Sequence, residues 1–385
     1  MDGLIMPGLN PQIDPDGLLE FSVVFTDRSL NHMSQRFQQA MRDIHAGLAE
    51  VYGAERAVVV PGGGSYAMES VARQFATGKR VLVIRNGFFS YRWSQIFEAG
   101  SIPASETVMK ARRIGNAGPL DPFAPPPIDE VVETIRAERP EVVFAPHVET
   151  ASGIILPDDY VKALAGAAHE VGALFVLDCV ASGCIWVDMA MLGVDVLISA
   201  PQKGWSASPC AGLVMMNGAA LEVCRAATSS SFAMDLNRWL TIMEAYLSGA
   251  HAYHATMPTD ALIQFRDAML ETKAAGYEAM RAAQWQQGQA VRAMLAQRGV
   301  HSVAAPGFEA PGVVVSFTDD PEVQTGRAFA AIGYQIAGGV PLMVDEGPDY
   351  KSFRLGLFGL DKLKDVPASL ARLEAAFDKV LGPAT

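Results

Sequence analysis

The sequence predicts an α/β fold: a large domain with a mostly parallel sheet flanked by helices, and a smaller C-terminal α+β domain. The first observation behind this is alternation. From about Arg56 to Met216, short β-branched runs take turns with helical patterns, which implies parallel strands covered by helices on both faces. The second is a change of pattern after Pro258, where a long Ala-rich helical tract leads into a few further strands. The third is composition. The 385 residues are 50% hydrophobic and 19% charged, a globular balance with enough chain for one large core and a smaller one.

Taken in order, the expected strands are Ala57 to Val60, Val81 to Ile84, Val142 to Phe144, Ala173 to Leu177, Val196 to Ile198 and Gly212 to Met215. Each is a short apolar run of the kind that is buried on both faces. Between them, Ala67 to Phe75, Ile128 to Glu138 and Asp159 to Val171 have helical periodicity. The four prolines between Pro122 and Pro127 mark a surface loop. The tract from Asp260 to Arg298, broken near Gly276, reads as a spine between domains. Beyond it, Gly312 to Phe317, Phe353 to Leu357 and a helix from Val366 to Val380 make up the small domain. The expected division is an N-terminal segment 1–20, a large domain 21–258, and a linking helix with the small domain over 259–385.

Charge and length exclude several functions. A net charge of −12 disfavours nucleic acid or an anionic membrane as a partner, since both reward basic patches. No run approaches the roughly 20 apolar residues of a membrane helix. The N-terminus lacks the basic stretch and apolar core of a signal peptide, so a cytoplasmic location is expected. Cys179, Cys184, Cys210 and Cys224 show no paired C-x-x-C spacing, and buried reduced thiols are the expectation rather than zinc or disulfides.

Several motifs at strand ends carry chemistry. Lys203 stands alone between Lys162 and Lys273, where an apolar strand turns. Desolvation would leave its amine neutral and able to form a Schiff base; a lysine reaching out to solvent is the equal alternative. The turn Pro61-Gly-Gly63-Gly64-Ser65, between strand and helix, suits an anion: backbone N–H groups, a helix N-terminus and a hydroxyl converge. Gly62-x-Gly64-x-x-Ala67 also matches a dinucleotide fingerprint loosely, but the next strand ends in Arg85-Asn86 without the ribose-binding acid of NAD, leaving only NADP. Asp178 closes a strand one element before Lys203 and would either hold a pyridine nitrogen protonated or cap the following turn.

Three further motifs follow the same logic. His147-Val-Glu149-Thr150-Ala-Ser-Gly lacks a second His/Cys cluster for a metal, and its hydroxyls suit polar contacts to a bound ring or phosphate. Phe89, after Asn86-Gly-Phe88, would stack on a flat cofactor or fill the core. Arg354 is a lone guanidinium in an apolar strand, placed to clamp a substrate carboxylate or to form an internal ion pair.

Together with Asn31-His32, Tyr253-His-Ala-Thr256-Met-Pro and Phe353-Arg-Leu-Gly-Leu, these motifs resemble class V aminotransferases of pyridoxal phosphate (PLP) fold type I, and within them the alanine–glyoxylate/serine–glyoxylate (serine–pyruvate) group. The likeness spans about residues 31–359. It implies PLP as cofactor, with Lys203 carrying the Schiff base and Asp178 on the pyridine nitrogen. It further implies Gly63, Gly64, Ser65 and Gln202 at the phosphate, Thr150 at the ring oxygen, Val180 beneath the ring and Phe89 above it. Tyr253 and Thr256 would reach the phosphate of the neighbouring subunit in a homodimer, and Arg354 would hold the substrate carboxylate. The implied reaction moves an amino group from alanine or serine to a 2-oxo acid such as glyoxylate or pyruvate. A 2-aminoethylphosphonate transaminase is the nearest alternative. A desulfurase or lyase of the same fold, or an NADP-dependent oxidoreductase, stands further off.

Overall fold

The computed structural model describes residues 13–15, 17–115 and 118–384, so most of the expected N-terminal segment lies outside the described residues. At the centre is a seven-stranded sheet in the order Arg56–Pro61, Ala211–Met216, Val196–Ser199, Leu174–Asp178, Val142–Pro146, Arg80–Arg85, Ser105–Lys110. Ala211–Met216 runs antiparallel to both of its neighbours, and the other pairings are parallel. Two reversals cancel, so Arg56–Pro61 points the same way as the parallel strands. The carboxyl ends of six strands therefore share one edge, where ligands of open α/β sheets bind.

All six expected strands form, within a residue or two of the expected bounds. The seventh, Ser105–Lys110, was not expected: Ser-Glu-Thr-Val-Met-Lys is an edge strand, exposed at its start, and lacks the apolar run that burial imposes on central strands. Several helices also escaped the sequence reading, among them Gly218–Ala226, Leu236–Leu247 and two that shape the site. Gln35–Tyr52 is capped by the Ser34 hydroxyl, which accepts from the Phe37 N–H, and it buries Phe37, Met41, Ile44, Leu48 and Tyr52 at three- and four-residue spacing. Phe88–Gly100 is the other. The helix expected from Ala67 begins three residues earlier, as Gly64–Phe75, and that expected from Asp159 is Asp158–Glu170.

The Pro122 to Pro127 stretch is not a surface loop. Phe123–Ala124 pairs with Arg112–Arg113, Phe123 is buried, and the Arg113 guanidinium lies 4.6 Å from its ring centroid. Burial of one aromatic outweighed the breaking tendency of the prolines around it.

The spine is two helices, Thr259–Ala275 and Tyr277–Ala296, divided at Gly276. The C-terminal part holds an antiparallel sheet in which Ser352–Gly356 lies between Val313–Phe317 and Ala337–Gly338. The helix Val366–Val380 covers it, closing a core that includes Phe329, Phe353 and Phe377. All four cysteines are free and buried. No described helix is long and apolar enough to cross a membrane.

Candidate active site

Lys203 lies in the turn after Val196–Ser199 and is half-buried. Burial lowers its pKa, and the nearby Arg354 charge lowers it further, so the amine is pushed toward its neutral, nucleophilic form. The turn is pinned on both sides. Trp205 is fully buried, its ring 4.6 Å from that of Trp186. A Cβ on Gly204 would sit 2.1 Å from the Gly183 carbonyl oxygen, so only glycine lets the lysine turn rest against the loop that follows Asp178.

Asp178 ends its strand in parallel register with Ile198 and is 8% exposed. Its carboxylate accepts one hydrogen bond, from the Val180 N–H at 2.9 Å. Burial raises its pKa to about 6, opposed by that N–H and by Arg92, and assisted by Glu149. An acid so placed lacks a protonated partner.

The glycine turn forms as expected. Gly63 precedes the helix Gly64–Phe75 and no side chain caps it, so the N–H groups at the helix start have no side-chain acceptor among the described residues. A Cβ on Gly64 would meet Val180 at 2.9 Å, which brings the turn against the residue beside Asp178. The Ser65 hydroxyl accepts from Arg92 Nη1 at 2.8 Å. Gln202 Oε1 is buried without a partner. Thr150 is half-buried in the turn after Val148–Glu149.

Phe89 belongs to the first turn of the helix Phe88–Gly100, not to a strand end. Arg92 and Arg354 lie over its ring, at 5.2 and 5.6 Å from the centroid. Arg354 is half-buried on Ser352–Gly356, and only its Nε is engaged, donating to the Gly338 carbonyl at 2.8 Å. Both Nη groups are without partners among the described residues, so the internal ion pair considered for this arginine does not form. Tyr253 and Thr256 are bonded to each other at 3.0 Å, and Tyr253 is 53% exposed. Both lie at the surface.

Two residues of the site were missed or left without a role in the sequence. Glu149, weighed as a metal ligand, is fully buried and caps the helix that carries Phe89. It accepts from the N–H groups of Phe89 (3.1 Å), Ser90 (2.8 Å) and Ala151 (2.9 Å), and from the Ser90 hydroxyl (2.6 Å). Glu149→Ala is expected to destabilise the protein by about 3 kcal/mol or more, because four donors lose their acceptor; urea unfolding measures this, and a loss under 1 kcal/mol would refute the assignment. Arg92 was overlooked altogether. Its one legible signal is the three-residue spacing from Phe89, which matters only once the stretch is known to be helical.

Arg85, the anchor of an NADP reading, is already committed: it donates to Ser94 Oγ at 2.6 Å and lies 4.7 Å from the Tyr91 ring centroid. The four thiols have pKa values raised by burial, unlike an activated nucleophile.

The family profile described as Aminotransferase class-V matches residues 20–319. The chain belongs to the class V aminotransferase family. Among curated relatives of this class V chain, a protein named soluble hydrogenase, small subunit, from Synechococcus sp. is 25% identical over 97% of this chain and 92% of its own. A 2-aminoethylphosphonate–pyruvate transaminase from Paraburkholderia phymatum is 27% identical over 90% of this chain and 89% of its own. Among solved structures, an alanine–glyoxylate aminotransferase from Nostoc sp. superposes with a TM-score of 0.76 at 22% identity, covering 91% of this chain and 89% of that one.

Membership makes the protein a PLP-dependent transferase, and the donor set fits that cofactor. A buried carboxylate without a cationic partner suits a pyridine N–H, an uncapped glycine turn at a helix start suits a phosphate, and a desolvated lysine suits an aldehyde.

Proposed function

We propose that the enzyme transfers an amino group from a small amino acid, alanine or serine, to a 2-oxo acid such as glyoxylate or pyruvate. The observation that carries this is Arg354. Its two free Nη groups lie close enough to Lys203 to lower the lysine pKa, so a carboxylate gripped there by two parallel hydrogen bonds would place its Cα beside the amine. The apolar Phe89 and Phe358 rings near these two cations leave a small side chain the better fit.

When bound, PLP supplies an electron sink for the charge left at the substrate Cα. The protein supplies the rest. In this reading Lys203 Nζ anchors the cofactor aldehyde, then takes the Cα proton and returns it one position along as general base and acid. Asp178 holds the ring N–H. Gly63, Gly64, Ser65 and Gln202 receive the phosphate, with Arg92 behind Ser65. Thr150 meets the ring oxygen, and Val180 and Phe89 close the two faces. Tyr253 and Thr256 are offered outward to the phosphate of a second copy, making the homodimer the working unit. Residues 21–258 act as the cofactor domain and 259–385 as the spine and closing domain, in a cytoplasmic enzyme.

A second reading, transamination of 2-aminoethylphosphonate, is favoured by the Paraburkholderia phymatum relative, and it requires a donor without a carboxylate. Arg354→Ala separates the two. On alanine, kcat/KM is expected to fall about 100-fold or more, the loss of a charge-assisted pair. Efficient turnover of the phosphonate with alanine inactive would establish the second reading instead. A half-reaction screen of single amino acids, following loss of the visible chromophore, names the donor.

A further inference from the structure

A second cavity, of about 340 Å³, lies away from this site; Lys203, Asp178, Phe89 and Arg354 take no part in its wall. Three parts of the chain build it. The spine helix Tyr277–Ala296 supplies Arg281 and Trp285, four residues apart and so on one helix face. The large domain supplies Asp158, Ile155 and Ile185, and the C-terminal part supplies Glu309.

The charged groups on its wall are not paired with one another: Asp158 is exposed, and Arg281 and Glu309 are half-buried. Arg281 makes no hydrogen bond or ion pair among the described residues, and neither do the Asp158 and Glu309 carboxylates. Arg292, close to Glu309, is committed to Ser302, Ala310 and Val313. His147 also borders the cavity, with Nδ1 bonded to Ser182 at 2.7 Å. Burial first, and Arg281 second, lower its pKa to about 4, so it adds no charge near neutral pH. One cation and two carboxylates thus face a common space with a gap between them.

We propose that this cavity binds a zwitterionic α-amino acid with an aliphatic side chain. The carboxylate would lie on the Arg281 guanidinium, the ammonium between Asp158 and Glu309, and the side chain against Trp285, Ile155 and Ile185. The volume falls at the lower end of the range for small-molecule sites. Because the wall draws on the large domain, the spine and the C-terminal part together, a bound amino acid would tie the three to one another.

The test is calorimetric titration of L-leucine into holoenzyme reduced with borohydride, in which the cofactor is fixed on Lys203 and can no longer exchange amines. Saturable binding of about one leucine per chain is expected. It should persist in Arg354→Ala, which separates it from the catalytic carboxylate clamp. Arg281→Gln and Glu309→Gln should each weaken it at least about tenfold, the effect of losing one charge-assisted contact, while both variants keep the wild-type melting temperature. 4-Methylpentanoate and isopentylamine, each carrying one of the two charges, should bind more weakly than leucine. No saturable heat, binding lost with Arg354, or wild-type affinity in either cavity variant would overturn the proposal. Failure of borohydride to fix the cofactor would count against the Lys203 reading alone, because the same titration then runs on Lys203→Ala.

Discussion

Lys203→Ala is expected to reduce transaminase turnover by about 10⁴-fold or more, the combined loss of a covalent anchor and a general base. Two readouts do not depend on activity. Wild-type protein treated with borohydride should yield a single Lys203 peptide heavier by the reduced cofactor, and the variant should yield none. The variant should also lack the visible absorbance of the lysine-bound cofactor. A modified peptide from another lysine, or robust turnover in the variant, would sink the assignment. The environment supports the expectation: the amine is desolvated, faces a second cation in Arg354 and lies 5.4 Å from the Phe358 ring centroid.

Asp178→Asn is expected to lower turnover by about 10²- to 10⁴-fold, because it removes the buried anion opposite a cationic ring nitrogen, a loss of about 3–5 kcal/mol. Its second consequence is visible in the cofactor-free protein. Burial raises the Asp178 pKa from 3.8 to about 6 in the folded chain, so the folded state holds this proton more tightly than the unfolded state does. Stability from this group is therefore present at low pH, falls as pH rises from about 4 to about 6, and stays lost above that. The shift of about two units corresponds to ~3 kcal/mol. Cofactor-free Asp178→Asn should lack this component of the pH dependence and melt higher than cofactor-free wild type at pH 8, with the difference vanishing near pH 4. Identical melting curves at pH 8 would show that the ionised carboxylate carries no desolvation cost.

The candidate residues stand out because their types sit badly where they are found. A lysine and an aspartate at the ends of apolar strands, three glycines before a helix and an arginine within an apolar strand each depart from the burial rule of their surroundings. The strands were legible for the complementary reason, since both faces of a central parallel strand must be apolar. Ser105–Lys110 was not, because an edge strand escapes that demand. Glu149 was seen but left without a role: a metal was set aside for want of a second cluster, and its capping of the helix Phe88–Gly100 depends on residues 59 and 60 positions away. Arg92 was hidden because its spacing from Phe89 has meaning only on a helix and its partner Ser65 is 27 residues away in the chain.

By itself, then, the sequence determined the α/β class and the sheet-forming runs, and it singled out the lysine, the aspartate, the glycine turn and the arginine as candidates. These are set by local demands: apolar runs for buried strands, small residues for close backbone approach, and charge placed where burial is costly. The tertiary structure decided which of them meet. It reversed Ala211–Met216 and so brought six strand ends to one edge, seated Gly204 against Gly183, gave Glu149 to the Phe89 helix, and left Arg354 with two free donors near Lys203. Those outcomes depend on contacts between residues tens to hundreds of positions apart, and the energy of such contacts is written in no local pattern.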